Sequence, residues 1–390
     1  MRIGSTIYLD HQASTPVDAR VLGEMTPYFS ELFGNPHSAD HSFGWSAAQA
    51  VEQSATRTAE LIGSDPDEII FTSGATEANN LALFGFAKRA LKDKRRRILV
   101  SAIEHKCVLA VSRELQSQLG YTVECLPVDG EGRLILPALE TALGDDVLMV
   151  SAMAVNNEIG TIQDLENISR LTREQGALLH CDAAQAPLAM NLSFCAEFVD
   201  FMSLSAHKMY GPKGIGALFI RRDLQRRIEP ILYGGGQQRD LRSGTLPVPL
   251  CVGMGAAAAL LNTEETVNER NNLRNRRDRF VQKLMALPWP IKLNGPQGKD
   301  RHPGNASVCF VGLSAHDILG TLQPHLAAST GSACTSGIPE SSHVLRAINL
   351  SESDAQATIR FSLGRATTDD DVDEAVSLIN DSLEMLASAN

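Results

Sequence analysis

From residue 68 to about residue 222 the chain alternates short β-branched runs with amphipathic stretches, and this alternation constrains the fold more than any other feature. EIIFTSG, RRILVSAIEH, YTVECLPVD, VLMVSAMAVN, ALLHCDAAQ, FVDFMSLSAHK and GIGALFIRR have the length and content of strands. ATEANNLALFGFAKRALK, KCVLAVSRELQSQLG, LPALETAL and ENISRLTREQG fall between the first five and have helical periodicity. Strands that are apolar throughout are covered on both faces, so the pattern predicts an α/β fold with a mainly parallel seven-stranded sheet. Ligands of such sheets bind beyond the C-terminal ends of the strands. Chemistry is therefore expected from the residues that end each run.

A second unit follows. NTEETVNERNNLRNRRDRFVQKLMAL (262–287) predicts a long helix whose charges alternate in sign, hence a solvated linking helix. Beyond it, PIKLNGP, NASVCFVGL and ATIRFSLGR read as strands, and SAHDILGTL, SSHVLRAI and DDDVDEAVSLINDSLEMLAS as helices. The expected division is a large domain over 1–262 and a small α+β domain over 263–390, with the first 15–20 residues packing on the small one. A length of 390 residues suits two units, since one ordinary domain has roughly 100–200.

The net charge of −11 argues against direct nucleic-acid binding, which needs a positive field. The basic run KDKRRR (92–97) is short and isolated, and reads as a helix end leading into a strand. No stretch reaches the roughly 18 apolar residues of a membrane span; the nearest, 251–261, is short and Ala/Gly-rich. The first ten residues contain no apolar signal region, so a cytoplasmic protein with free thiols is expected. Cysteines stand at 107, 125, 181, 195, 251, 309 and 334. The number is odd and no pair has C-x-x-C spacing, so neither a disulfide framework nor a metal site is expected. Six lie in predicted strands or helices and are expected to be packed. Cys107 is set apart from these by its position two residues after His105. Cys334 lies in ASTGSACTSG (328–337), where small residues predict a mobile, exposed segment and an accessible thiol.

Three strand ends carry a joint chemistry. SLSAHKMYGPKG (203–214) ends a strand on Lys208, flanked by hydroxyl and imidazole; such a lysine suits imine formation with a carbonyl cofactor once its pKa is lowered. Lys213 is its local competitor. In LLHCDAAQAP (178–187), Asp182 ends a strand and could keep a pyridine nitrogen protonated, with Gln185 near a ring oxygen. In FTSGATEANN (71–80), a strand runs into a Gly turn that opens a helix at Ala75 and Thr76, a geometry suited to an anion.

Phosphate turn, ring acid and Schiff-base lysine occur here in a recognisable order. The chain resembles the cysteine desulfurases of the NifS/IscS type, within the class V aminotransferase group of fold-type I pyridoxal-phosphate enzymes. The resemblance covers nearly the whole chain and is carried by YLDHQASTPVD (8–18), GNPHS (34–38), FTSGATEANN, EHKCV (104–108), VNNEIG (155–160), CDAAQ (181–185), LSAHKMYGPKG (204–214), RSGT (242–245), STGSACTSG (329–337), HVLRAI (343–348) and IRFSLGR (359–365). It implies that Lys208 holds pyridoxal phosphate, that Asp182 pairs with the ring nitrogen and that Gln185 meets the ring hydroxyl. His105 would stack on the ring and handle protons, and Asn157 would lie on its substrate side. Ala75, Thr76, Ser205 and His207 would bind the phosphate, with Thr245 reaching in from the neighbouring subunit of a homodimer. Arg360 would hold the substrate carboxylate.

The implied reaction takes sulfur from L-cysteine, releases L-alanine and leaves a persulfide on Cys334. A sulfur-acceptor protein would then collect it, for iron–sulfur assembly, tRNA thiolation or DNA phosphorothioation. Two alternatives share the fold: a class V aminotransferase, which has no use for a thiol in a Gly/Ser segment, and a sulfur-relay scaffold that binds the cofactor without turnover. The chain departs from the common pattern at DHQAST (10–15), where an aromatic residue and a threonine are frequent, and in the tail SLEMLASAN, which lacks a longer acceptor-docking end.

Overall fold

The computed structural model describes residues 1–330 and 342–389. Seven strands form one sheet in the order Ile69–Thr72, Gly216–Ile220, Phe201–Ser205, Leu178–Asp182, Val147–Ser151, Arg97–Ser101, Thr122–Leu126. Gly216–Ile220 runs antiparallel to both neighbours; the other six share one direction. Val147–Ser151, Phe201–Ser205 and Gly216–Ile220 are buried at every position, as continuous apolar runs require when both faces are covered. The outermost strand, Thr122–Leu126, leaves part of its surface to water, and there Cys125 is exposed. The expectation of packing at every cysteine but Cys334 is corrected at that position.

The most apolar stretch of the chain serves packing. It lies in the helix Val248–Leu261, buried against the helix Ser42–Ile62. Small residues permit the close approach: a Cβ on Gly255 would fall 2.6 Å from the Ser54 Cα, and one on Gly253 2.5 Å from the Met25 sulfur. Among the described residues no helix is long and apolar enough to cross a membrane. The arginines of 92–97 are tied down rather than displayed. Arg95 donates to the Val147 and Gln175 carbonyls (2.7 and 2.9 Å), Arg96 lies over the Tyr121 ring, and Arg97 pairs with Glu124 and Asp146 (2.9 Å each).

A smaller antiparallel sheet joins Ile291–Leu293, Asn305–Phe310 and Thr358–Ser362. Its core contains Phe310, Phe361, Ile379 and Leu383, and Ile7 and Leu9 from the N-terminus are packed into it. The helix Glu264–Met285 contributes Leu273, Phe280 and Leu284 to the same core. That corrects the solvated reading of this helix. Residues 273, 277, 280 and 284 form a stripe at helical spacing that the surrounding charges conceal, and its second member is a buried Arg277. The Arg277 guanidinium reaches the His302 and Asn305 carbonyls (3.2 and 3.1 Å), so its stem can pack while its head is satisfied. Just beyond Leu9 the chain crosses to the main sheet, and Gln12, Ala13 and Ser14 arrive at the strand ends.

Candidate active site

A cleft of about 630 Å³ opens at the C-terminal edge of the main sheet. Residues that follow five of its strands line it: Ser73–Glu77, His105–Cys107, Met153–Glu158, Ala184–Gln185 and His207–Lys208 contribute, with Asp182 and Ser205 at strand ends. Ten of the twelve residues predicted for the site lie in this lining: Ala75, Thr76, His105, Asn157, Asp182, Gln185, Ser205, His207, Lys208 and Arg360.

Lys208 ends a short turn, Ala206–Lys208, that directly follows the strand Phe201–Ser205. Its Nζ donates to the Gln12 and Ala13 carbonyls at 2.6 and 2.8 Å. Burial, reinforced by the Arg360 charge, lowers the amine from 10.5 to about 8, against the opposing pull of Asp10 and Asp182. Lys213 also borders the cleft but is exposed. Lys208 is thus the lysine poised as a nucleophile. An amine of this kind reacts only when unprotonated. Capture of pyridoxal phosphate by the apoprotein, followed by absorbance, is therefore expected to accelerate with rising pH through a midpoint near 8, not near 10.5.

Asp182 is buried at the end of the neighbouring strand. One carboxylate oxygen accepts from the Ala184 N–H (3.0 Å) and the other from the Asn79 side-chain amide (2.7 Å). Glu104 is fully buried near it, and burial together with the Asp182 charge raises its carboxyl well above the usual range. Glu104 accepts from the Met153 N–H at 2.5 Å and so braces two strand ends. The next residue, His105, caps the helix Lys106–Leu119: its Nδ1 accepts from the Cys107 N–H at 3.2 Å and lies 3.0 Å from the Cys107 sulfur. Burial, and then the Lys208 charge, lower the His105 pKa, with Asp182 opposing. Cys107 is half-buried, and burial next to Asp182 pushes its thiol up to about 12. It keeps its proton at neutral pH and is a poor nucleophile.

The anion end is built around Gly74. Its φ of +150° suits glycine, and a Cβ at the facing Gly216 would come within 2.7 Å of it. The helix Ala75–Asn80 opens there. Glu77 braces the turn: it accepts from the Ser73 N–H (2.7 Å) and from Arg242 Nε and Nη2 (2.8 and 3.2 Å). His207 lines the same cleft, its Nδ1 3.3 Å from the Ser14 hydroxyl. Burial and the two lysines hold it neutral, near 4.

At the opposite end Arg360 projects from the strand Thr358–Ser362. It donates to the Asn157 carbonyl (2.8 Å), Asp10 (2.7 Å) and the Ser329 hydroxyl (2.9 Å). Its Nε is buried and has no hydrogen-bond partner among the described residues. Gln185 donates to the Gln12 carbonyl at 2.9 Å. The chain leaves the described residues after Thr330, beside Arg360, and re-enters at Ser342, which donates to Glu158 at 2.5 Å. His343 follows, 2.8 Å from the Glu104 carbonyl and in the cleft lining.

Two predicted residues are not in the lining. Cys334 lies outside the described residues. Thr245 is exposed and away from the cleft of its own chain. Sequence reasoning missed Gln12, Asn79, Glu104 and Glu158. Asn79 stood in the quoted segment FTSGATEANN, three residues after Thr76 and so one helical turn further on; that spacing was the available signal. Gln12, in YLDHQASTPVD, had none, because its carbonyl rather than its side chain meets Lys208. A depressed amine, a buried carboxylate, and a glycine turn that shares the cleft with a neutral histidine make a donor set that fits pyridoxal phosphate. Among the described residues no cluster of His, Cys, Asp and Glu could hold a metal ion.

Residues 7–375 match the family model for aminotransferase class-V. The chain is 44% identical over 380 residues to a cysteine desulfurase IscS of Rickettsia rickettsii (strain Iowa), covering 97% of this chain and 92% of the relative. It is similar to the solved structure of a NifS-like protein, with a TM-score of 0.90 and 35% identity over 97% of this chain and 100% of the other. It is also similar to a solved structure of SspA in complex with cysteine, with a TM-score of 0.80 and 34% identity over 93% of this chain and 100% of the other.

Proposed function

The chain belongs to the aminotransferase class-V family and is a pyridoxal-phosphate-dependent cysteine desulfurase of fold-type I; from that premise we propose which of its residues hold the cofactor, seat L-cysteine and take the sulfur. Lys208 carries the cofactor, Asp182 serves its ring nitrogen, and Gln185 its ring hydroxyl. His105, in the same lining, would contact the ring. Ala75, Thr76, Ser205 and His207 hold the phosphate. When bound, the cofactor supplies an electron sink that loosens the bonds around the substrate's α-carbon. The observation that carries this reading is the convergence, in one cleft at the strand ends, of the depressed Lys208 amine, buried Asp182 and Arg360.

Arg360 and Asn157 seat the substrate. The planar guanidinium suits a carboxylate, and its Nε, without a partner among the described residues, is a donor for it. Lys208 Nζ and the His105 ring would move protons at the substrate carbons. The Cys334 thiolate attacks the substrate sulfur: an S–S bond forms, the C–S bond breaks, and its electron pair stays with carbon. That carbon takes up a proton, so L-alanine leaves and Cys334 holds a persulfide. A small thiol or an acceptor protein then collects the outer sulfur, and the charge of −11 favours a protein over a nucleic acid. Iron–sulfur assembly, tRNA thiolation and DNA phosphorothioation all accept sulfur of this kind.

The working unit is a homodimer in the cytoplasm. Thr245 is exposed outside its own cleft, the placement required of a residue that serves a neighbouring subunit. Phe29, Phe33, Phe43, Trp45 and Tyr233 are exposed as well, apolar area that a second copy would cover. The six described cysteines are all free thiols, in keeping with a reducing compartment. The test is Arg360→Lys, which keeps the charge and loses the planar fork. Its KM for L-cysteine is expected to rise by about 10–100-fold, the cost of one lost charged hydrogen bond, with the cofactor's absorbance unchanged. An unaltered KM would move the carboxylate site elsewhere.

A further inference from the structure

Behind Asp182 runs a chain of buried polar groups that does not line the cleft. His180 precedes Asp182 by two residues on one strand, so the two side chains share a face of the sheet. Ser151 is the register partner of His180 on the adjoining strand. Asn79 comes down onto the same face from the helix that opens at Ala75. The links are short: Asn79 Nδ2 to Asp182 Oδ2 2.7 Å, Asn79 Oδ1 to His180 Nε2 3.1 Å, His180 Nδ1 to Ser151 Oγ 2.9 Å. Asn79, Ser151 and His180 are each 0% exposed.

The polarity of every link follows from the carboxylate. Asp182 only accepts, so the Asn79 amide nitrogen must face it, and the second hydrogen of that nitrogen goes to the Cys107 sulfur at 3.3 Å. The Asn79 oxygen then faces His180 and can only accept, which puts the ring hydrogen on Nε2. Nδ1 is left to accept, and the Ser151 hydroxyl donates to it. Burial keeps His180 neutral, near 3, so a single tautomer holds across the working range. A flipped Asn79 amide would set its oxygen against the carboxylate and leave two buried groups unpaired.

We propose that Ser151, His180 and Asn79 are positioning residues that lock the Asp182 carboxylate in one orientation toward the cofactor's ring nitrogen, and that Asn79 couples this orientation to the phosphate turn at the start of its own helix. The proposal rests on the reading that Asp182 serves the ring nitrogen. It makes the cofactor's electronic state sensitive to residues that touch neither cofactor nor substrate.

The test titrates pyridoxal phosphate into apoprotein, reading the dissociation constant and the visible spectrum and its pH dependence rather than activity. Asn79→Ala is expected to weaken binding by about 10–100-fold, as loss of a hydrogen bond to a charged group does, and His180→Phe by about 2–10-fold, as loss of a neutral one does; both are expected to shift the bound cofactor's spectrum. His180→Gln, which keeps a donor for Asn79, is expected to restore most of both. The double variant Asn79→Ala with His180→Phe is expected to be no worse than the worse single one, because the residues act in series. Should His180→Phe fail to fold, Ser151→Ala removes one hydroxyl and is expected to shift the spectrum in the same direction. Asp182→Asn separates the two readings. If it alters the spectrum while the Asn79, His180 and Ser151 variants match wild type, the positioning chain is wrong. If Asp182→Asn itself matches wild type, the ring-nitrogen assignment is wrong.

Discussion

Lys208→Ala is expected to yield a folded protein that no longer shows the visible absorbance of a covalently held cofactor and whose turnover of L-cysteine falls by at least about three orders of magnitude. The side chain is half-buried and, among the described residues, its amine hydrogen-bonds to the Gln12 and Ala13 carbonyls and to no carboxylate, so truncation there removes no ion pair and leaves a modest cavity. The backbone around it is held independently, by the Met209 N–H to the Ala206 carbonyl (3.0 Å) and the Thr15 N–H to the His207 carbonyl (2.9 Å). A large effect on chemistry with a small effect on stability is therefore the signature. Absorbance and alanine production, measured beside a melting curve, separate the two. A Lys208→Ala variant that kept the absorbance would transfer the attachment to Lys213, the other lysine at the cleft.

Cys334→Ser is expected to do the reverse. The cofactor's absorbance and the binding of L-cysteine remain, while persulfide formation disappears and alanine production falls by at least about three orders of magnitude. The placement of the flanking residues supports this. Ser329, five residues before Cys334, accepts from Arg360, and Ser342, on the returning side, is bonded to Glu158 in the cleft lining. The competing thiol is Cys107, within the lining itself. Its pKa of about 12 leaves almost no thiolate at neutral pH, so proximity alone does not make it the sulfur acceptor. Persulfide found on Cys107 in the Cys334→Ser variant would reverse that assignment.

Much of this was legible in the residues, because the chemistry sits at strand ends and strand ends are marked by composition. Lys208, Asp182 and Ala75–Thr76 each follow an apolar run directly, and the seven runs became the seven strands of the sheet. What escaped notice has physical reasons. Charge alternation along 262–287 masked the stripe at 273, 277, 280 and 284, since a stripe containing a buried arginine does not look apolar. Cys125 is exposed because an edge strand and an inner strand can have the same composition. Glu104 stands in EHKCV with no role assigned to it. Nothing in its type says that it will be fully buried, and the upward shift of its carboxyl is created by that burial. The holding of Lys208 by main-chain carbonyls of residues nearly two hundred positions away leaves no trace in side-chain identity.

The departure at DHQAST also acquires a structural meaning. His11 packs edge-on against Tyr8, with ring centroids 5.0 Å apart, and a Cβ at Gly364 would come within 2.5 Å of its ring. Burial lowers it to about 4, so it is a neutral packing residue. The Gln12 side-chain oxygen accepts from Asn305 at 2.6 Å, linking the cleft-side segment to the smaller sheet. The segment is thus anchored to the smaller sheet through Gln12 while its carbonyls meet Lys208.

The most direct test of the central claim is a single turnover. The purified protein, carrying pyridoxal phosphate, is mixed with one equivalent of L-cysteine; alanine is quantified, and the protein is digested and its peptides weighed. The account predicts one alanine per active site and one added sulfur, on the peptide containing Cys334. An oxo acid in place of alanine, or alanine with no sulfur on that peptide, would contradict it.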